Sequence, residues 1–215
     1  MENTIFKRLL LSLTLIVVAP LTVLAEEAFV EGTDYDLITP AIRTVAAEKI
    51  EVAEFFWYGC GHCYTFEPVV GKWKETMADD VAFRGIPAMW GGAMEMHARA
   101  FYTVEVLGLA DTMHSVIFQA INVDRKPLRE EKDIARLFVD NSVAEEDFYK
   151  AFNSFGVGSQ VRQANATARS AKITGTPSMM VNGKYLITTR KAGGNLKMLQ
   201  IVDYLVEKER AAKAS

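Results

Sequence analysis

Apolar positions along this chain recur with two periods. Ile50 to Trp57 is an apolar run interrupted only by Glu51 and Glu54, the pattern of a strand central in a sheet. Val81 to Ile86 reads as a second strand, ended by Pro87. Met179 to Val181 and Tyr185 to Thr188 read as a hairpin, because Asn182-Gly183 between them suits a type I′ turn. Tyr35 to Thr39 alternates weakly and predicts an edge strand stopped by Pro40. From Cys60 to Ala78 the spacing turns helical, with Phe66, Val69, Val70, Trp73 and Met77 on one face. Pro68 falls inside that helix and should bend its axis.

From about Met94 to Ala171 every segment with a clear period is helical. Met96, Ala100, Phe101, Val104 and Leu107 form one stripe, halted at Gly108. Asp111 is placed to cap a second helix carrying Met113, Val116, Ile117 and Ala120. Ile134, Leu137 and Phe138 mark a third, and Ser142 with Glu145 has the spacing of a capping box for a short fourth. Ser159 to Lys172 is an alanine-rich fifth. No Gly/Pro/Ser-rich linker bounds this block, so it reads as a lobe packed on the sheet rather than a separate module. Leu196 to Lys208 closes the chain as an amphipathic helix with Leu199, Val202, Leu205 and Val206 inward.

The first 25 residues change the picture. Lys7 and Arg8 precede an apolar stretch, Leu9 to Leu24, and Val23-Leu24-Ala25 suits a signal peptidase. The rival is an uncleaved anchor, but the stretch is short for a span and contains Pro20. Cleavage after Ala25 would leave residues 26–215 and remove Glu2, Lys7 and Arg8, taking the formal charge from -3 to -4. Charges are dispersed without a basic block, which argues against nucleic acid as a partner.

The chemistry-bearing stretch lies between the first strong strand and its helix. Cys60 and Cys63 are the only cysteines of 215 residues, so an exported chain of this kind has no disulfide framework. A bridge across two residues restrains an unfolded chain little, which favours working chemistry. At the helix N-terminus, free N–H groups and the dipole would stabilise a Cys60 thiolate, and Cys63 lies within bonding reach. A low-pKa thiol both attacks and leaves readily, so the pair reads as a dithiol redox site. Zinc would ask for four ligands; His62 lies between the sulfurs and His97 and His114 are distant in sequence. Tyr64 after Cys63 excludes a Cys-x-x-Cys-His haem site. In the first turn, the His62 ring could donate to Cys60 and add positive charge. His97 and His114 fall on apolar stripes and read as packing residues. Glu54, on a strand otherwise apolar, is costly unless it is paired, protonated or turned to a solvated edge.

Phe55-Phe56 before Cys60-Gly61-His62-Cys63-Tyr64, with Gly175-Thr176-Pro177 far downstream, resembles the thioredoxin superfamily. The element order narrows this to the bacterial periplasmic DsbA family, over roughly residues 34–210. The resemblance implies an α/β thioredoxin fold with a large all-helical insertion at about 94–171. It implies that Cys60 is the exposed nucleophile, that Cys63 is the buried resolving thiol, and that Glu54 lies beneath Cys63 and relays its proton. It further implies that Pro177 is cis beside the sulfurs, leaving the Thr176 backbone free to pair with an incoming peptide. Met89 is a candidate wall of an apolar substrate groove, which methionine suits by its adaptability. The family usually has Pro-His between the cysteines; Gly61-His62 is the pair of eukaryotic protein disulfide isomerase.

The expected function is thus a periplasmic oxidoreductase that passes disulfides to newly exported, reduced proteins. It would be reoxidised by a DsbB-like quinone-linked membrane oxidase, and would act as a monomer without organic cofactor or metal. Alternatives are a disulfide isomerase or reductase, or, in another class, an exported thioredoxin-fold chaperone or metal-binding module.

Overall fold

The structure, a computed structural model, describes residues 28–214. The expected signal peptide, residues 1–25, lies outside them. Among the described residues five strands form one mixed sheet in the order β1-β5-β4-β2-β3. They are β1 (Asp36–Leu37), β2 (Ile50–Phe56), β3 (Val81–Pro87), β4 (Ser178–Val181) and β5 (Tyr185–Thr188). Among the described strands β2 and β3 pair in parallel; β4 runs antiparallel to both β2 and β5, and β1 is antiparallel to β5. The parallel pair is joined through α1 (Gly61–Lys74), which runs on through Pro68, as a crossover connection requires.

Five helices separate β3 from β4: α2 (Ala93–Val106), α3 (Ala110–Asn122), α4 (Glu131–Asp140), α5 (Glu145–Phe152) and α6 (Phe155–Ser170). A single turn, α7 (Thr189–Ala192), and the long α8 (Asn195–Ala214) follow β5. The sheet has a core on each face. Ile50, Val52, Met179 and Val181 pack with Phe66 and Val70 of α1 and with α8. Ala53, Phe55 and Met180 face the helical lobe. Burial on both faces explains why β2 reads as a nearly unbroken apolar run. Among the described residues no helix is long and apolar enough to cross a membrane.

Some helix ends differ from the sequence reading, for local reasons. Ser142 does not cap α5. It ends α4 in the left-handed conformation, φ +68°, while Val143 N–H reaches the Phe138 carbonyl at 3.1 Å and Ser142 N–H that of Val139 at 3.0 Å. That is a Schellman ending, and α5 then starts from Ala144 without a side-chain cap. Gly108 closes α2 in the same way, and its tight exit leaves Leu109 as the residue before α3. Asp111 therefore lies inside the first turn of α3, where its charge still suits the dipole. Helix α6 begins four residues earlier than expected because the Ser154 hydroxyl accepts the Val157 N–H. The edge strand β1 is only two residues long, although Ile38 N–H continues the pairing to Lys184 O at 2.7 Å. The hairpin turn is as expected, with Asn182 and Gly183 both at positive φ. A Cβ on Gly183 would lie 1.9 Å from the Ile42 carbonyl oxygen, so packing and turn both require glycine.

Candidate active site

The chain leaves β2 at Trp57 and turns into α1 within four residues. Cys60 N–H closes the turn on Trp57 O at 2.9 Å, and Tyr64 N–H begins the helix on Cys60 O at 3.0 Å. Cys60 is thus the N-cap, with no side-chain cap of its own. Glycine at 59 lets the indole fold under the turn, since a Cβ there would meet the Trp57 ring at 2.3 Å. Trp57 stacks on His97 and donates its indole N–H to His97 Nδ1 at 2.9 Å. Indole is only a donor, so Nδ1 is the acceptor, and the ring proton sits on Nε2, 3.1 Å from Pro127 O. Burial also pushes the His97 pKa down, and this buried histidine is a structural anchor for the active-site turn.

Cys60 is partly exposed and Cys63 fully buried, and both are free thiols, so the geometry is that of the reduced state. The Cys60 thiol is lowered to about 5, chiefly by the hydrogen bond from the Cys63 thiol, with burial working against it. The Thr176 side chain and the backbone N–H groups of Cys63 and His62 also favour the thiolate. Cys63 moves far the other way, because its proton bonds to Cys60 and burial opposes a second charge. One sulfur ionises easily and its neighbour hardly at all.

The loop before β4 closes the site from the other side. Cys60 Sγ lies 3.4 Å from Thr176 O, and the Thr176–Pro177 bond is cis with Pro177 buried. Ser178 Oγ donates to Gly175 O at 2.8 Å and Thr189 Oγ1 to Pro177 O at 3.0 Å, fixing the loop. His62 is exposed, and its backbone N–H favours the thiolate. Met89 is half-buried and lines a groove of about 620 Å³ with the exposed Trp90, Arg162 and Arg169. Met94 is buried and its sulfur accepts the Trp90 N–H at 3.3 Å.

Glu54 is 4% exposed and pairs in register with Met179 and Gly85, which removes the solvated-edge reading. Its pKa is raised well above the carboxylate range, first by burial, then by the charges of Glu67 and Cys60, with Lys74 opposing. Among the described residues it forms no ion pair. Sequence reasoning missed its neighbour Glu67. One helical turn beyond Cys63, Glu67 falls on the face that carries the buried thiol, and a charge there was the available signal. Its carboxylate lies 3.3 Å from His114 Nε2, and Tyr58 OH lies 2.7 Å from His114 Nδ1. His114 therefore does more than fill its stripe.

A sequence model of the DSBA-like thioredoxin domain matches residues 78–206. The chain belongs to the DsbA-like thioredoxin family. It is 41% identical to the thiol:disulfide interchange protein DsbA of Pseudomonas syringae over 188 residues, 87% of this chain and 88% of that one. It is 34% identical to the DsbA of Bordetella parapertussis over 98% of this chain and all of that one. The crystal structure of Pseudomonas aeruginosa DsbA superposes with a TM-score of 0.84 at 37% identity, covering 87% of this chain and 97% of that one. The expected α/β fold with a helical insertion and the expected enzyme class hold. The protein is a thiol:disulfide oxidoreductase of the DsbA family.

Proposed function

We propose that this enzyme donates disulfides to newly exported proteins in the periplasm, after loss of residues 1–25, with Cys60–Cys63 as its redox pair and no other cofactor. A substrate thiolate attacks Cys60 Sγ of the oxidised pair. The Cys60–Cys63 bond breaks, and Cys63 leaves with the electron pair and takes up a proton. A second substrate thiolate then attacks the substrate sulfur of the mixed disulfide, and Cys60 leaves as a thiolate. The substrate is oxidised by two electrons and the enzyme is reduced to the dithiol. A DsbB-like quinone-linked membrane oxidase removes those electrons again.

The observation that carries this reading is the opposed proton affinity of the two sulfurs. A thiol of low pKa is the better leaving group, so release of product from Cys60 is downhill and the dithiol is the favoured end state. Thr176 and Pro177 support substrate capture. Among the described residues the Thr176 N–H has no backbone partner, and an extended peptide could pair there by strand addition. Met89 and the exposed Trp90 would offer an apolar wall that accepts varied sequences.

The test is transfer to a reduced, unfolded protein with two cysteines. The enzyme purified without reductant should carry no free thiols and oxidise one equivalent of substrate. Emergence as the dithiol, with reshuffling of wrong disulfides but no net oxidation, would instead identify an isomerase or reductase. A protein that binds unfolded chains or a metal ion without any exchange would belong to the other class.

A further inference from the structure

Two carboxyls, Glu54 of β2 and Glu67 of α1, line one cleft of about 860 Å³ together with His114 of α3. Each raises the cost of ionising its neighbour, so the pair favours one charge over two. The arrangement around Glu67 decides where that charge sits. Burial keeps the Tyr58 hydroxyl protonated, so it donates to His114 Nδ1 across 2.7 Å. This leaves the ring proton on Nε2, which lies 3.3 Å from Glu67 Oε2. The imidazole is held in that orientation by edge contacts to Phe56, Phe101 and Phe118. Glu67 is lowered by His114 in spite of burial, and Glu54 is raised by burial and by Glu67.

We propose that His114 is a positioning residue for the redox step: it holds Glu67 as the anion and so keeps the exchangeable proton on Glu54. This rests on the reading of Glu54 as the proton carrier of the buried thiol. The other charged groups facing the cleft do not make this choice. Lys74 of α1 lowers both carboxyls. Glu75 after α1, Arg84 of β3, Glu105 of α2 and Asp111 of α3 also line the cleft, but none of them is among the main groups acting on Glu54 or Glu67. The Cys60 thiolate adds to the pressure on Glu54 only in the reduced form. When substrate attacks Cys60, the electron pair of the broken S–S bond goes to Cys63 and the Glu54 proton follows it, leaving a carboxylate. During reoxidation Glu54 takes the proton back from Cys63.

The experiment follows the side-chain ¹³C carboxyl resonances of Glu54 and Glu67 in the oxidised protein against pH. It is paired with the rate of reduction by a small thiol, divided by that thiol's thiolate fraction. In the parent, Glu67 should ionise first, and the normalised rate should fall as Glu54 loses its proton. His114→Phe, which keeps the ring packing, and His114→Gln should move the Glu54 titration and the falling limb together to lower pH. A shift of about 1 unit is the low end of what a neighbouring charge produces. Glu67→Gln should shift both in the same direction, and adding His114→Phe to it should shift them no further. Unmoved curves in both folded His114 variants would overturn the inference. If Glu54→Gln removes the falling limb while the His114 variants leave it in place, only the role of His114 fails. If Glu54→Gln retains the limb, the reading of Glu54 itself fails.

Discussion

At the rim of the site, Cys60 sits at the start of α1 among backbone N–H groups and the Thr176 hydroxyl, and its thiolate is favoured. At the floor, three residues along the same helix, Cys63 is enclosed and its thiolate is penalised. The helix N-terminus alone would favour charge at both positions of this first turn. Depth and partners separate them. Strand β2 carries two buried carboxyls in different company. Glu51, fully buried on the lobe-side face, accepts the Val45 N–H at 2.8 Å and lies 3.0 Å from the Arg84 guanidinium. Glu54, equally enclosed on the other face, meets like charge from Glu67. Burial sets the stakes for an ionisable group; its neighbours decide which form is held.

The largest test of that contrast exchanges the roles of the sulfurs. Cys60→Ser should abolish both substrate oxidation and mixed-disulfide formation, whereas Cys63→Ser should accumulate mixed disulfides through Cys60, read by non-reducing electrophoresis and mass spectrometry. Trapping by the Cys60 variant alone would reverse rim and floor. Next in size is Thr176→Val, which keeps the shape and removes the hydroxyl. Losing one hydrogen bond to a charged group costs about 1.5–3 kcal/mol, so the Cys60 titration, read by thiolate absorbance, should rise by roughly 1–2 units. An unchanged titration would show that backbone groups and Cys63 alone hold the charge. The smallest effect concerns Gly61. A Cβ there meets nothing within 4 Å, the position is the first of the helix, and its N–H is not among those that favour the Cys60 thiolate. Gly61→Pro should therefore fit and raise stability in denaturant melts by about 0.4–1 kcal/mol in both redox forms. A destabilised variant would mean that the rim needs glycine's freedom.

Much of this contrast was legible in the chain, and for identifiable reasons. The cysteine spacing and Glu54 each break a local pattern, whereas Thr176-Pro177 looks like an ordinary turn before a strand and stood out only through the family resemblance. A doubled sulfur at a helix start and an acid in an apolar strand stand out against their surroundings. The two-sided burial of β2 showed in its apolar run, and Gly108 announced the end of α2. Glu67 and His114 did not stand out, because a charge on a helix and a histidine on a stripe look ordinary until the lobe is folded against α1. Ser142 misled because a hydroxyl three residues before a glutamate suits a helix start, while its actual use depends on how α4 ends. The full length of α8 was hidden too, since no apolar stripe continues beyond Val206. Its extension is tied down by Glu209, buried and hydrogen-bonded to Tyr185 Oη at 2.9 Å and to the Lys184 ammonium at 2.7 Å.

Paired denaturant melts of the reduced and oxidised protein between pH 4 and 8 test the opposed sulfurs most directly. Cys60 titrates at about 5 in the folded dithiol and near ~8.5 in an unfolded chain. A depressed folded pKa contributes stability that is full above the unfolded value and is lost as pH falls through the folded one. Cys63, raised in the fold, opposes this only above the unfolded value, outside the range measured. The oxidised pair cannot ionise and contributes neither effect. The reduced form should therefore be the more stable at pH 7, with its advantage shrinking steadily toward pH 5 and flattening below it. His62→Ala should leave most of that advantage in place, since the His62 backbone N–H is retained. A difference between the two forms that does not change with pH, or an oxidised form that is the more stable at pH 7, would contradict the account.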